Sequence, residues 1–193
     1  MRGTKIRNPA YLRRMRKLRM DELGRKTVAE VKGANKLPVI VVLENIRSAY
    51  NVGSVFRTAD AFLLEGVYLV GYTAFPPHKE IRKTALGAEE SVSWKHFKTM
   101  AEAIDSIRQL GYTIVAAEQT DTSIPLHKWQ EPASPGLALI MGNEVTGVEQ
   151  ETLEVCDQVL EIPQLGMKHS LNIATAAGVM LWEIVRKKIT DNG

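Results

Sequence analysis

Cysteine is nearly absent: Cys156 is the only one in 193 residues. That excludes an internal disulfide framework and points to a reducing compartment. No apolar run approaches the roughly 18–20 residues that a membrane-spanning helix needs. The basic N-terminus lacks the apolar segment and small-residue cleavage site of a secretory signal, so a cytoplasmic protein without a membrane partner is expected. Fingerprints of the common α/β chemistries are missing as well. No G-x-G-x-x-G follows the first strand-like run, and no G-x-x-x-x-G-K-[ST] occurs anywhere. H-E-x-x-H, paired cysteine ligands and a G-x-S-x-G elbow are also lacking. His78, His96 and His127 show no ligand spacing, and no metal is expected. His169 stands beside Ser170, but adjacent positions on a helix do not face each other, so a Ser–His pair is not inferred.

What remains is ordinary in bulk and uneven in detail. Hydrophobic residues make up 45% and charged residues 24% of the chain, as in a globular domain, and the length allows one domain with a short appendage. The net charge of +3 conceals an asymmetry. Residues 1–26 hold ten Lys/Arg against Asp21 and Glu22, which makes that segment +8 and leaves −5 for the rest. A basic arm on a mildly acidic body suits a polyanion such as nucleic acid, although a solvated basic tail has the same composition. Arg13, Arg14, Arg16, Lys17 and Arg19 are the candidate residues for binding nucleic acid. Tyr11, Leu12, Met15, Leu18 and Leu23 are spaced as in a partly helical arm. The expected division is an extension over residues 1–36 and a main domain over 37–193.

In the main domain, strand-like and helix-like stretches alternate. Leu37–Leu43 is a continuous β-branched run suited to a strand buried on both faces. Asn51–Leu63 has helical spacing at Val52, Val55, Phe56, Ala59 and Phe62. Val67–Gly71, Tyr112–Ala117, Gly136–Met141 and Gln158–Ile162 read as further strands. Lys79–Ala88 reads as a short helix or loop, and Met100–Leu110 as an amphipathic helix stopped by Gly111. Glu149–Val155 and a long segment from Ser170 to Lys188 read as helices. Such alternation predicts an α/β fold, a parallel sheet with helices on both faces, and ligands at the carboxyl ends of its strands.

Glycines and polar residues gather after the later strands. Singly, each has a plain structural reading: a glycine after a strand makes a turn, and Ser170 would cap the helix it opens. Together they form ordered motifs. The first runs Asn45-Ile46-Arg47-Ser48-Ala49-Tyr50-Asn51-Val52-Gly53 through Phe56-Arg57-Thr58-Ala59-Asp60. The second is Ile140-Met141-Gly142-Asn143-Glu144-Val145-Thr146-Gly147-Val148. The third comprises Ile162-Pro163, Gly166-Met167 and Ser170-Leu171-Asn172-Ile173-Ala174. With Arg82-Lys83-Thr84-Ala85-Leu86-Gly87-Ala88, these segments resemble, in order and spacing, the motifs of SpoU/TrmH RNA 2′-O-ribose methyltransferases, over roughly Leu37 to Lys188. Ala174 departs from the family, which often has Ser there.

The resemblance implies a SPOUT α/β domain with a C-terminal trefoil knot, a homodimer with active sites near the subunit interface, and S-adenosylmethionine as cofactor. It implies methyl transfer to a ribose 2′-hydroxyl of RNA, with tRNA favoured over rRNA because the basic arm is closer to the tRNA-modifying members. By the same resemblance Arg57, Asn51, Glu144, Ser170 and Asn172 are the catalytic candidates. Ala117, Gly142, Ile162, Gly166, Met167 and Leu171 are expected around the cofactor. A guanidinium is essentially never deprotonated, so Arg57 is expected to bind phosphate and stabilise the developing alkoxide. The alternatives are a non-catalytic RNA-binding protein on the same fold and, from another class, a nucleotide-dependent oxidoreductase.

Overall fold

The computed structural model describes residues 16–24 and 26–190. Arg13 and Arg14 lie outside them, as do the arm's Tyr11, Leu12 and Met15. The first β-branched run forms β1 (Leu37–Glu44) at the middle of a seven-stranded sheet. Around it stand β2 (Leu64–Val70), β3 (Ser93–Phe97), β4 (Thr113–Ala117), β5 (Ile124–Pro125), β6 (Leu137–Met141) and β7 (Gln158–Glu161) in the order β3-β2-β1-β6-β4-β7-β5. Every pairing is parallel. Val41 sits opposite Val67 on one side and Leu139 on the other, so the three longest apolar runs form the centre, where neither face meets water.

Alternation along β1 separates two cores. Val39, Val41 and Leu43 pack under α2 (Ala49–Ala61), α3 (Lys79–Ala85), α4 (Ala88–Ser91) and α7 (Ile173–Thr190). Ile40 and Val42 point the other way, to α5 (Met100–Gln109) and the flank of α6 (Gln150–Leu153). Ser48 caps α2 by accepting from Asn51 N at 3.3 Å, and Thr99 with Glu102 forms a capping box on α5. After β3 the chain crosses β1 to build the other half of the sheet, which places the switch of strand order beside β1, β6 and β4. That is where a parallel sheet opens a crevice at its strand ends.

Several elements differ from the sequence reading. The last helix begins at Ile173, three residues after Ser170, because Asn172 is the cap: its Oδ1 accepts from Ala174 N at 2.9 Å and Thr175 N at 3.4 Å. Edge strands β3 and β5 were not expected, and the short α1 (Val28–Gly33) falls within the extension read as partly helical. β3 mixes Trp94 and Phe97 with Lys95 and His96, and β5 carries Pro125, so neither shows an apolar run; both lie at sheet edges where such residues are tolerated.

Candidate active site

The carboxyl ends of β4, β6 and β7 and the segment leading into α7 enclose a cavity of about 690 Å³. Its apolar walls are Met141, Leu160, Ile162, Leu171, Ile173 and Met180, and polar groups come from Glu118, Gln119, Asn143, Glu144, Glu161 and Gln164. One wall is the turn after β6. A Cβ on Gly142 would lie 2.2 Å from Gly147 C and Val148 N, so only glycine lets the turn fold back on itself. Asn143 and Gly147 exchange backbone hydrogen bonds of 2.9 and 3.0 Å, with Gly147 at φ 74. The Glu118 carboxylate accepts from Val148 N at 3.0 Å and from Gln119 N at 2.7 Å. Gln119 Nε2 in turn donates to His169 O at 2.5 Å, tying the end of β4 to the segment that covers the cavity.

Beside the cavity, polar side chains from all three motifs meet. Asn51 Nδ2 donates to Glu144 Oε1 at 2.9 Å, and Asn172 Nδ2 donates to Asn51 Oδ1 at 3.1 Å. Glu144 also accepts from Arg47 N at 2.9 Å and Ser48 N at 3.1 Å. Burial works to raise the Glu144 pKa, but the hydrogen bonds from Arg47 N, Asn51 and Ser48 outweigh it and hold the carboxyl below its ordinary value. The ionised carboxylate at the start of α2 thus fixes which way the Asn51 amide points, leaving its oxygen for Asn172.

Ala117, Gly142, Ile162 and Leu171 line the cavity, as do Glu144, Ser170 and Asn172. Ser170 makes no hydrogen bond to another described residue. Asn51 stands behind Glu144 and Asn172. Gly166 and Met167 are not on the wall, and Met167 is 83% exposed. Arg57 lies on the exposed side of α2, away from the cavity lining, and its side chain makes no hydrogen bond or ion pair to a described residue. In the arm, Arg16 pairs with Glu22 at 2.7 Å, and Lys17 and Arg19 are exposed. Glu118 and Gln119 were not singled out from the sequence, and Asn143 only as part of the second motif. Their one signal was position, polar residues directly after a buried strand, where the fold class puts ligands.

The parallel-sheet fold is shared with solved RNA methyltransferases. The chain belongs to the SpoU rRNA methylase family, whose model matches residues 38–182. A 23S rRNA (guanosine-2′-O-)-methyltransferase RlmB of Haemophilus influenzae is 31% identical over 171 residues, 87% of this chain and 68% of that protein. An AdoMet-bound rRNA methyltransferase from Sinorhizobium meliloti superposes with a TM-score of 0.73 at 29% identity, covering 80% of this chain and 57% of that one. The A. aeolicus TrmH/SpoU tRNA modifying enzyme gives 0.75 at 25% identity, covering 86% and 82%. The chain spans 60–68% of the length of the curated relatives it matches.

Proposed function

We propose that this protein transfers a methyl group from S-adenosylmethionine to a ribose 2′-hydroxyl of structured RNA. The observation that carries the reading is the Asn172–Asn51–Glu144 chain, which joins all three motifs beside one large cavity. The cavity fits the cofactor. Its volume is in the range of small-molecule sites, its apolar wall suits an adenine, and Glu118 and Glu161 supply acceptors for ribose hydroxyls and a cationic centre. Held along the wall formed by Ala117, Gly142, Ile162 and Leu171, S-adenosylmethionine would supply an electrophilic sulfonium methyl for the ribose hydroxyl oxygen.

The chain's own part is positioning. Ser170, Leu171 and Asn172 form the edge over which a ribose reaches the cavity. The fixed Asn172 amide holds that edge to α2, and a displacement of this kind gains most from alignment at about 3–3.5 Å. Arg57 would hold the adjacent phosphate and the developing negative charge. Because Arg57 lies away from the cavity wall of its own chain, we propose a homodimer in which Arg57 of the partner subunit faces the cavity. Exposed Val179 and Trp182 on α7 supply an apolar face for such an interface, and the C-terminal trefoil knot of the family belongs to the same reading. Residues 1–36 are read as an RNA-binding extension to the domain from residue 37.

Transfer of radiolabelled methyl to total tRNA and to ribosomal RNA, followed by alkaline digestion, tests the activity. Label in an alkali-resistant dinucleotide is expected. The short basic arm favours tRNA, while the 23S rRNA activity named for the Haemophilus influenzae relative supports rRNA as the second reading. Absence of label from both RNAs would sink the proposal. Arg57→Ala is expected to abolish turnover. Mixing it with Asn172→Ala is expected to restore part of the activity, through mixed dimers with one intact site.

A further inference from the structure

The loop between β2 and α3, residues 71–78, holds two aromatic side chains out to solvent. Tyr72 is 64% and Phe75 is 44% exposed. The loop backbone is held at several points. Gly71 turns at φ 68 so close to β1 that a Cβ would meet Asn45 Oδ1 at 2.0 Å. Buried Thr73 donates to Leu43 O and accepts from Ile46 N, both at 2.9 Å.

The Tyr72 hydroxyl is the unusual part. It accepts from Asn143 Nδ2 at 2.7 Å, and Asn143 is a buried residue of the cavity wall. The same amide donates to Asn45 O at 2.7 Å, and its oxygen accepts from Val145 N and Thr146 N at 2.8 and 3.1 Å. Tyrosine ordinarily buries its ring and leaves its hydroxyl to water. Here the hydroxyl is anchored inward and the residue is mostly exposed, so the ring stands fixed, one side chain's length from the cavity. Phe75 continues the aromatic surface: its ring lies 4.4 Å from His96 and 6.2 Å from Trp94. His96 is held in turn to Gly71 O at 3.1 Å.

We propose that Tyr72 is a stacking platform for an unpaired nucleobase of the RNA beside the target ribose, with Phe75 extending the platform; this rests on the RNA methyltransferase reading above. A 2′-hydroxyl that must enter a cavity belongs to a nucleotide drawn out of its helix, and the bases around it lose their stacking partners. Aromatic side chains replace those partners in single-stranded RNA recognition. Charge favours the same occupant. Lys79, Arg82 and Lys83 on α3 are exposed directly after the loop, where they meet phosphates, and Lys83 is steadied over the Tyr50 ring at 5.7 Å.

The test compares full-length wild type with Tyr72→Ala and Tyr72→Phe, using unmodified tRNA transcripts and ribosomal RNA fragments as probes. S-adenosylmethionine affinity, KM for RNA, kcat and mass in solution are read for each. Tyr72→Ala is expected to raise KM for RNA about ten- to hundredfold with cofactor affinity and mass unchanged, and Tyr72→Phe to restore most of the loss. A wild-type KM in Tyr72→Ala overturns the proposal. So does equal damage in Tyr72→Phe, which would assign the effect to the hydroxyl's hold on Asn143, or a parallel loss of cofactor binding. A changed mass also overturns it, by making the ring an interface between copies. If Tyr72→Ala does not fold, irradiation of wild type with 5-iodouridine-substituted transcripts decides: an adduct on Tyr72 or Phe75 is expected, and adducts elsewhere alone overturn the proposal. Wild type that methylates neither RNA overturns the activity reading itself, a failure visible before any variant is made.

Discussion

Two carboxylates at the carboxyl ends of the central strands respond to pH in opposite directions. Glu44, 3% exposed, accepts from Thr152 Oγ1 at 2.5 Å and Glu149 N at 3.2 Å. Burial pushes its pKa up, beyond what these hydrogen bonds restore. Between the ordinary carboxylate value and the raised one, the native state binds more protons than the unfolded chain, so this group's contribution to stability falls as pH rises through that window. Glu44→Gln is expected to remove that fall, seen as a flatter dependence of the denaturation midpoint on pH. For Glu144, held below its ordinary value, the contribution is present above the unfolded pKa and lost as pH falls through the native one. Asn172 separates two roles within one side chain, since its oxygen caps α7 and its amide reaches Asn51. Asn172→Asp keeps the cap and loses the donor. It is expected to melt within a few degrees of wild type while kcat falls at least tenfold, whereas Asn172→Ala also loses about 1 kcal/mol of cap stability. Motif spacing made Asn51, Glu144 and Asn172 legible as a group although they are 93 and 121 positions apart in sequence. Which atoms meet was not legible, because amide direction is decided by Glu144 and its backbone donors, and these face one another only after folding.

Elements were read where apolar patterning was strong and missed where it was weak. The central strands are β-branched runs buried on both faces, and α5 repeats its apolar positions at helical spacing, so local sequence already carries their tertiary environment. Strands β3 and β5 form by completing a sheet edge, with Pro125 and Lys95 inside them, and no local pattern marks them. The packing of α2 on α3 is also invisible in propensity, yet it rests on one glycine. A Cβ at Gly53 would stand 2.1 Å from Thr84 Oγ1 and 2.3 Å from Ile81 O. Gly53→Ala must therefore move α3 off α2 and is expected to cost about 1–3 kcal/mol in chemical denaturation. Gly166 has nothing within 4 Å of the same added atom. Gly166→Ala is expected to change stability by less than about 0.5 kcal/mol in the same measurement.

For the molecule as a whole, the distribution of charge matters more than the net value. An arm of +8 precedes a body of −5, and the body alone would repel a polyanion at long range. On the proposed reading, attraction is therefore expected from the arm and from local cations such as Arg57 and those of α3. Deleting residues 1–26 leaves the Thr27–Glu30 capping box of α1 and buried Val31 in place, so the melting temperature is expected to hold. RNA affinity at low salt is expected to fall, with the gap closing as salt rises, because counterion release scales with the number of phosphates neutralised. Every phosphate that the arm neutralises in the intact protein should add roughly 0.7–0.9 to the slope of log affinity against log salt, and deletion should remove that share. A slope that does not change on deletion would mean that the arm never touches the backbone of the RNA. The attraction would then lie in the body's own cations, where substitution of Lys79, Arg82 and Lys83 should lower the slope instead.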